Sequence, residues 1–231
     1  MTLFATLCPL FCWFIYNNGV VLIERWRPSL SVIMSMQRRR WVANATRRET
    51  PFDAILAGNL MGSVSFLAST SALLVLAIFT VFGQLPNVMR TLSGIAFDHV
   101  FTLEEVQFHL LVMLVMFVLS FFAFTLSLRQ FNHFCIMLGA IDHNASTSEV
   151  EIDAIARLNT LAAKNFNNGI RAYYFSVAMV AWFASAWLGI AVSLATVGFI
   201  IHREFFSTAH RVAASVAVLA SRREEQQKSQ I

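Results

Sequence analysis

Residues 106–128 read VQFHLLVMLVMFVLSFFAFTLSL and contain no Asp, Glu, Lys or Arg. A helix rises about 1.5 Å per residue, so roughly 20 apolar residues cross the ~30 Å hydrocarbon core of a bilayer. The stretch is therefore long enough to span a membrane as a helix. Its unbroken apolar character argues against a transmembrane β-barrel, whose strands alternate apolar and polar residues over about ten positions.

Three other stretches also lack these four residue types: 1–23, 54–89 and 172–201. We therefore predict four transmembrane helices, near residues 3–23, 58–82, 108–128 and 173–200. The expected fold class is all-α, an integral membrane bundle of about four transmembrane helices with an amphipathic C-terminal helix. The expected division is a transmembrane domain over 1–201 and an amphipathic, charged tail over 202–231.

The composition supports a membrane protein and excludes an ordinary soluble domain. Hydrophobic residues make up 57% of the chain and charged residues 13%, and the mean hydropathy is +0.63. Soluble domains carry about twice that charged share. The basic residues lie between the apolar stretches, which fits phospholipid headgroups better than nucleic acid. We expect membrane lipids as partners, with a homo-oligomer or a membrane protein partner as a further possibility, and no nucleic acid.

The distribution of Lys and Arg predicts an orientation. Seven lie in the first loop (24–53), one in the second (83–107), four in the third (129–171) and five in the tail. The positive-inside rule then places the first and third loops in the cytoplasm and the N-terminus outside, in a cell inner (plasma) membrane. Four crossings would leave the five bases of the tail outside, against the same rule.

The start of the tail has the pattern of an amphipathic helix. One side carries Phe205, Ala209, Val212, Val216 and Leu219, and another carries Glu204, Thr208, Arg211, Ser215 and Arg222. Such a helix can lie on the bilayer surface, pack on a partner, or prolong the fourth transmembrane helix. The sequence leaves these three placements open.

Small residues recur along two of the predicted helices. They are Gly58, Gly62, Ser65 and Ser69 in the second, and Ser185 and Gly189 in the fourth. In lipid, small residues let helix backbones approach closely enough for van der Waals contact to hold them together. We interpret them as packing positions inside the bundle, with a homo-oligomer interface as the alternative.

No catalytic or metal-binding pattern is present in the sequence. Cys8, Cys12 and Cys135 form no CxxC pair, and the histidines, His99 and His109 among them, form no HExxH motif. GxSxG and glycine-rich phosphate loops are also missing. We therefore predict no catalytic residue, no metal and no cofactor.

One polar cluster is a candidate binding site. With four crossings, the end of the third helix and the start of the fourth meet at the cytoplasmic face. The candidates are Arg129, Asn132, His133, Asn168, Arg171 and Tyr174. Arginine can fork onto phosphate or carboxylate oxygens, so the cluster could grip a lipid headgroup or a small anion. In the alternative interpretation, the arginines reach the headgroup region and bond helix-end carbonyls.

Three segments together resemble the domain of unknown function 599 family. They are Gly58-Asn59-Leu60-Met61-Gly62 through Thr70, Ser127-Leu128-Arg129-Gln130-Phe131-Asn132-His133, and Gly169-Ile170-Arg171-Ala172-Tyr173-Tyr174-Phe175 leading toward Trp182. The resemblance covers roughly residues 24–200 and implies a multi-pass membrane protein with no assigned biochemistry. The family often has a proline after the aromatic pair and a Gly-Pro after the tryptophan. The span 173–201 contains no proline that would kink it.

These features favour a multi-pass membrane protein of structural, assembly or sensing type, because the chain offers packing surfaces and basic loops without a catalytic frame. Two alternatives remain. One is a channel or carrier subunit formed by oligomerisation, and the other is a membrane enzyme with a polar site at its cytoplasmic face.

Overall fold

A computed structural model describes residues 1–48, 52–92, 94, 101–143 and 145–228 of the chain. Within these residues the protein forms eight α-helices and no strand, which confirms the all-α class. The helices are α1 (Thr2–Glu24), α2 (Leu30–Ala45), α3 (Phe52–Gly83), α4 (Leu85–Leu92), α5 (Leu103–Gly139), α6 (Glu149–Met179), α7 (Ala186–Ile201) and α8 (Thr208–Lys228). His99 and Asn144, the first residue of the N-glycosylation sequence Asn144-Ala145-Ser146, lie outside the described residues.

Four helical stretches of the described chain are long and apolar enough to cross a membrane, which is the number that the sequence predicted. They are Thr2–Glu24, Phe52–Gly83, Leu103–Gly139 and Ala186–Arg223. The chain is therefore a multi-pass membrane protein by the length and composition of its helices.

An antiparallel pair, α5 and α6, forms the centre of the bundle. Ser120 Oγ donates to the carbonyl of Gly169 at 2.9 Å, and Ser127 Oγ donates to the carbonyl of Ala162 at 2.7 Å. A Cβ atom at position 169 would lie 2.7 Å from Cε1 of Phe124, so any larger residue would displace this fully buried ring. These contacts fix which residues of α5 and α6 share the same height in the bundle.

The predicted single helix over 173–200 is wrong. Helix α6 ends at Met179, a 3₁₀ turn follows over Val180–Phe183, and Ser185 is extended with φ −161° and ψ 143°. Helix α7 then runs back along α6. The chain reverses here without a proline, because an extended residue breaks the helical hydrogen-bond pattern.

Gly189 allows α7 to return close to the turn. A Cβ atom there would lie 3.1 Å from both Cα and Cβ of Trp182. Ser185, the other predicted small packing residue of this span, lies at the reversal itself and precedes the first residue of α7.

The reversal brings the tail to the same end of the bundle as the first and third loops. His210 Nε2 lies 2.9 Å from the carbonyl oxygen of Pro28, and His143 Nδ1 lies 3.2 Å from that of Thr46. We call this end, with α2, the α5–α6 loop and α8, the basic end, because the predicted first loop (24–53), third loop (129–171) and tail (202–231) together hold every Lys and Arg except Arg90. The tail therefore lies at the same end as the two loops, whereas four crossings alone would place it at the other end.

The opposite end, where α1 and α5 begin and α6 ends, is the N-terminal end. His109 is fully buried there, with Nδ1 3.2 Å from Thr6 Oγ1 and Nε2 3.1 Å from the carbonyl oxygen of Met179. Its ring stacks on Trp182 with centroids 4.1 Å apart. A single side chain thus ties α1, α5 and α6 together.

The small residues of α3 face outward. Gly58, Gly62, Ser65 and Ser69 are exposed, and a Cβ atom at either glycine would meet nothing within 4 Å. The buried side of α3 carries other residues, including Val64. The interpretation of these four residues as packing positions inside the bundle therefore does not hold.

Candidate anion-binding site

A buried ion pair joins α6 to the chain that follows α7. Arg171 Nη2 lies 2.6 Å from Glu204 Oε1, and Arg171 Nε donates to the same oxygen at 3.1 Å. The side chains are 9% and 15% exposed. A buried charge without a partner is costly, so each residue stabilises the other in this position.

Helix α1 completes the bonding of this pair. Arg171 Nη1 donates to Asn17 Oδ1 at 2.8 Å, and the Tyr16 hydroxyl donates to Glu204 Oε2 at 2.9 Å. The Arg171 guanidinium also lies 4.9 Å from the centre of the Tyr16 ring. The Ser120–Gly169 bond sets Arg171 beside residue 118 of α5, within the uncharged stretch 106–128. The ion pair therefore lies level with an uncharged part of α5.

A π-helical turn directs Glu204 inward. The turn covers His202–Phe206, between α7 and α8, and Phe205 within it is 1% exposed. A π turn holds one more residue than an α turn and so shifts which side chains face the bundle. This shift places Glu204 and Phe205 inside, although a regular amphipathic helix would put them on different sides.

A cavity of about 270 Å³ lies against the ion pair, between α2, α6 and the π turn. We call it the Arg38 cavity. Its polar lining residues are Ser31, Arg38, Asn167, Arg171, Tyr174, Arg203 and Glu204, and its apolar lining residues are Leu30, Met34, Phe166, Ile170 and Ile200. Three arginines against one glutamate make the lining net positive.

Arg38 is the unusual member of this lining. Its Nη1 atom is buried and has no hydrogen-bond partner among the described residues. Burial lowers the pKa of its guanidinium from the ordinary value, because the charged form is poorly solvated. Its neighbour Arg39 is exposed and bonds Glu149 and Asp153, and these bonds raise the pKa of Arg39.

Arg203 also lines the Arg38 cavity, and it bonds a tyrosine rather than an acid. Its Nη1 atom donates to the Tyr174 hydroxyl at 2.6 Å. The Arg203 side chain is largely exposed, which leaves it accessible to a ligand from solvent or from the headgroup layer. Two of the three arginines of this cavity are thus not paired with Glu204.

A second cavity, of about 400 Å³, lies on the other side of Ser31, Asn167 and Arg171, which line both cavities. We call it the amide cavity. Its other polar lining residues are Asn17, Asn18, Glu24, Ser35, Thr160, Lys164 and Asn168. Asn167 Nδ2 donates to Ser31 Oγ at 3.4 Å, a long hydrogen bond across the boundary between the two cavities.

The structure does not bring the six predicted site residues together. Arg171 and Tyr174 line the Arg38 cavity, and Asn168 lines the amide cavity. Arg129, Asn132 and His133 are exposed on α5. The Ser127–Ala162 bond places Arg129 beside residue 160, about 16 Å along the bundle axis from Arg171. The predicted convergence is therefore wrong, because α5 and α6 continue as a hairpin well past the apolar stretch.

Sequence reasoning missed Glu204, Arg38 and Arg203 as site residues. The sequence pattern places Glu204 on the polar side of the tail helix, and the π turn that moves it inward has no clear signal in the sequence. Arg38 lies within the run Arg38-Arg39-Arg40, where sequence alone does not show which side chain is buried.

Another cavity, of about 610 Å³, lies at the basic end between α3 and α5. Its charged residues Arg48 and Asp53 pair with each other at 2.9 Å, and Asp53 also accepts from Trp41 Nε1 at 2.6 Å. Across the described part of the chain, no three His, Cys, Asp or Glu side chains are grouped to hold a metal ion. The Arg38 cavity, with three arginines against one glutamate, is therefore the better candidate for a negatively charged ligand.

The family described as "Protein of unknown function, DUF599" matches residues 4–209, so the chain belongs to this family. No curated protein and no solved structure matches the chain.

Proposed function

We propose that this member of the DUF599 family is a non-catalytic membrane protein that binds the anionic headgroup of a lipid in the Arg38 cavity, in a sensing or assembly role. One observation carries the proposal: Arg38 has a buried guanidinium nitrogen with no hydrogen-bond partner in the described part of the chain. A buried donor without an acceptor costs free energy, and more so when it is charged. A phosphate or carboxylate oxygen in the cavity would supply the acceptor.

The lining favours a lipid over a free anion. Five apolar side chains, among them Met34 and Ile200, border the same cavity as the arginines. A free anion gains nothing from apolar walls, whereas a lipid places its phosphate next to its own apolar chains. Ile200, next to the last residue of α7, also lines the cavity, so the cavity lies at the end of this apolar helix, where headgroups are expected.

The dipole of helix α2 also favours an anion in the Arg38 cavity. Leu30 and Ser31, its first two residues, line the Arg38 cavity, so the N-terminal end of the helix is close to the proposed anion. The aligned peptide dipoles place partial positive charge at this end, which favours a negative ligand.

The proposal is tested by melting the purified protein in detergent with phosphatidic acid, phosphatidylcholine or inorganic phosphate. Phosphatidic acid should raise the melting temperature of the wild type, and Arg38→Gln should lose this shift. Arg39→Gln removes the same charge from the next residue of α2, but from an exposed position. This variant should keep the rise in melting temperature.

A second variant keeps the test informative if Arg38→Gln does not fold. Arg203→Gln alters an exposed cavity residue and should also reduce the shift. The proposal is wrong if phosphatidic acid stabilises no more than phosphatidylcholine, or if Arg38→Gln and Arg203→Gln both respond like Arg39→Gln. Equal stabilisation by inorganic phosphate would identify a free anion as the ligand and overturn the lipid proposal.

We also propose that the basic end faces the cytoplasm and the N-terminus lies outside, since three basic segments gather at one end. The chain has sequons at Asn44 and Asn144, of which Asn44 lies on α2. In glycosylating microsomes neither should be modified, and an acceptor sequence added before Met1 should be. The opposite labelling pattern would reverse the orientation.

A channel or carrier is a second candidate, favoured by the Arg171–Glu204 pair. Ionisable residues at bilayer depth often mark a transport path. If the protein transports anions, proteoliposomes should release a trapped anion faster than protein-free liposomes, and Arg171→Gln should abolish the difference. Equal release rates from the two preparations would eliminate this candidate.

A further inference from the structure

The amide cavity differs in chemistry from the Arg38 cavity beside it. Apart from the shared Arg171, its polar lining consists of Glu24, Lys164 and a larger set of amides and hydroxyls. The neutral set is Asn17, Asn18, Ser31, Ser35, Thr160, Asn167 and Asn168. Amides and hydroxyls both donate and accept hydrogen bonds, as the hydroxyl groups of a sugar or polyol do.

The two cavities adjoin each other through three shared residues. Ser31, Asn167 and Arg171 line both, and the 3.4 Å Asn167–Ser31 bond crosses the boundary. This distance is longer than the common range of an N–H···O bond, so little free energy is lost when the bond opens. A ligand with two polar parts can therefore place one part in each cavity.

We infer that the two cavities together recognise an anionic lipid whose phosphate is esterified to a polyol, with the phosphate in the Arg38 cavity and the polyol in the amide cavity. The inference rests on the proposed function and adds the class of headgroup. Arg171 borders both cavities, next to the position of the ester linkage.

The amide cavity has the volume for such a group. At about 400 Å³ it is larger than the Arg38 cavity at about 270 Å³, although the latter carries more arginines. A phosphate alone needs only the smaller cavity. The larger, mostly neutral cavity then accommodates the hydroxyl-bearing part of the headgroup.

The test compares two phosphodiester lipids of equal charge, phosphatidylinositol with its polyol and phosphatidylethanol without one. Binding to the full-length protein in detergent is measured by native mass spectrometry. Phosphatidylinositol should bind roughly tenfold more tightly, the effect of one to two additional net hydrogen bonds. Soluble inositol phosphate should bind more weakly than the lipid, because it lacks the apolar chains.

Variants of the amide cavity separate this inference from the proposed function. Asn168→Leu and Thr160→Val remove polar groups with little change of volume and should abolish the preference while phosphatidylethanol still binds. Thr196→Val is the matched control, because the Thr196 hydroxyl likewise bonds a carbonyl within its own helix and lies outside both cavities.

The outcomes are distinct for the two proposals. Equal binding of both phosphodiester lipids, or an unchanged preference in both amide-cavity variants, overturns the polyol inference and leaves headgroup binding in place. If Arg38→Gln binds no anionic lipid and the wild type binds phosphatidylinositol and phosphatidylethanol equally, the proposed function is supported and the polyol inference is not. Binding of neither lipid by the wild type overturns both.

Discussion

The N-terminal end and the basic end both bury polar side chains, but in different surroundings. At the N-terminal end, both ring nitrogens of His109 are bonded, and the ring lies against Trp182 and Phe183. At the basic end, Arg171 and Glu204 satisfy each other, while Arg38 beside them keeps a nitrogen unpartnered and faces a cavity.

The two ends differ in the charge of their unpartnered buried donors, and this difference separates a packing role from a binding role. The indole N–H of Trp182 is also buried and has no partner among the residues that the structure describes, but it is neutral and lies among aromatic rings. An unpartnered charge costs far more than an unpartnered neutral donor. A ligand at the basic end can therefore stabilise a buried positive charge. The polar groups of the N-terminal end stabilise the packing of the helices.

The largest expected effect of a single change is at the basic end. Glu204→Gln removes the negative partner of buried Arg171 and should lower the free energy of unfolding by about 3–5 kcal/mol. The measurement is unfolding in mixed detergent–SDS micelles. The double variant Arg171→Met/Glu204→Leu should recover most of the loss, because no unpaired charge remains. A loss below 1 kcal/mol in Glu204→Gln, on the scale of a surface pair, would show that the pair is well hydrated.

A smaller effect is expected at the N-terminal end. His109→Phe keeps an aromatic ring against Trp182 but leaves the Thr6 hydroxyl and the Met179 carbonyl without their partner. The expected loss is about 1–3 kcal/mol in the same assay. Lipid binding should be unchanged, since both cavities lie at the other end of the bundle. Loss of lipid binding in a folded His109→Phe protein would contradict the separation of the two ends.

The sequence predicted the parts of the fold that depend on segment length. An uncharged stretch such as 106–128 must span a bilayer or be buried, and α5 does cover it. The reversal within 173–200 was not predictable in the same way. It depends on an extended Ser185 in an apolar, proline-free context and on Gly189 packing against Trp182, which are tertiary contacts.

The candidate site was predictable only in part, for the same reason. Arg171, Asn168 and Tyr174 are predictable because arginine, amide and phenol groups gather near the start of the predicted fourth helix, and they do line the two cavities. Arg129 lies outside both cavities because of the register of α5 against α6. This register depends on contacts such as that of Ser127 with Ala162, which are far apart in sequence. The inward position of Glu204 depends on a π turn whose sequence has no distinctive pattern.

The smallest expected effect is also at the basic end, where Arg39 bonds Glu149 and Asp153 on the surface. The Arg39 side chain is 45% exposed, and those of its partners are 78% and 58% exposed. Exposed ion pairs contribute little because water and salt screen them, so Arg39→Gln should lower the free energy of unfolding by less than about 1 kcal/mol. The difference from wild type should shrink further as salt is raised from low to molar concentration. The loss of unfolding free energy in Glu204→Gln should change little over the same salt range, because the Arg171–Glu204 pair is buried. If Arg39→Gln lost as much as Glu204→Gln at every salt concentration, then position in the bundle, and not burial of the charges, would determine the strength of these pairs.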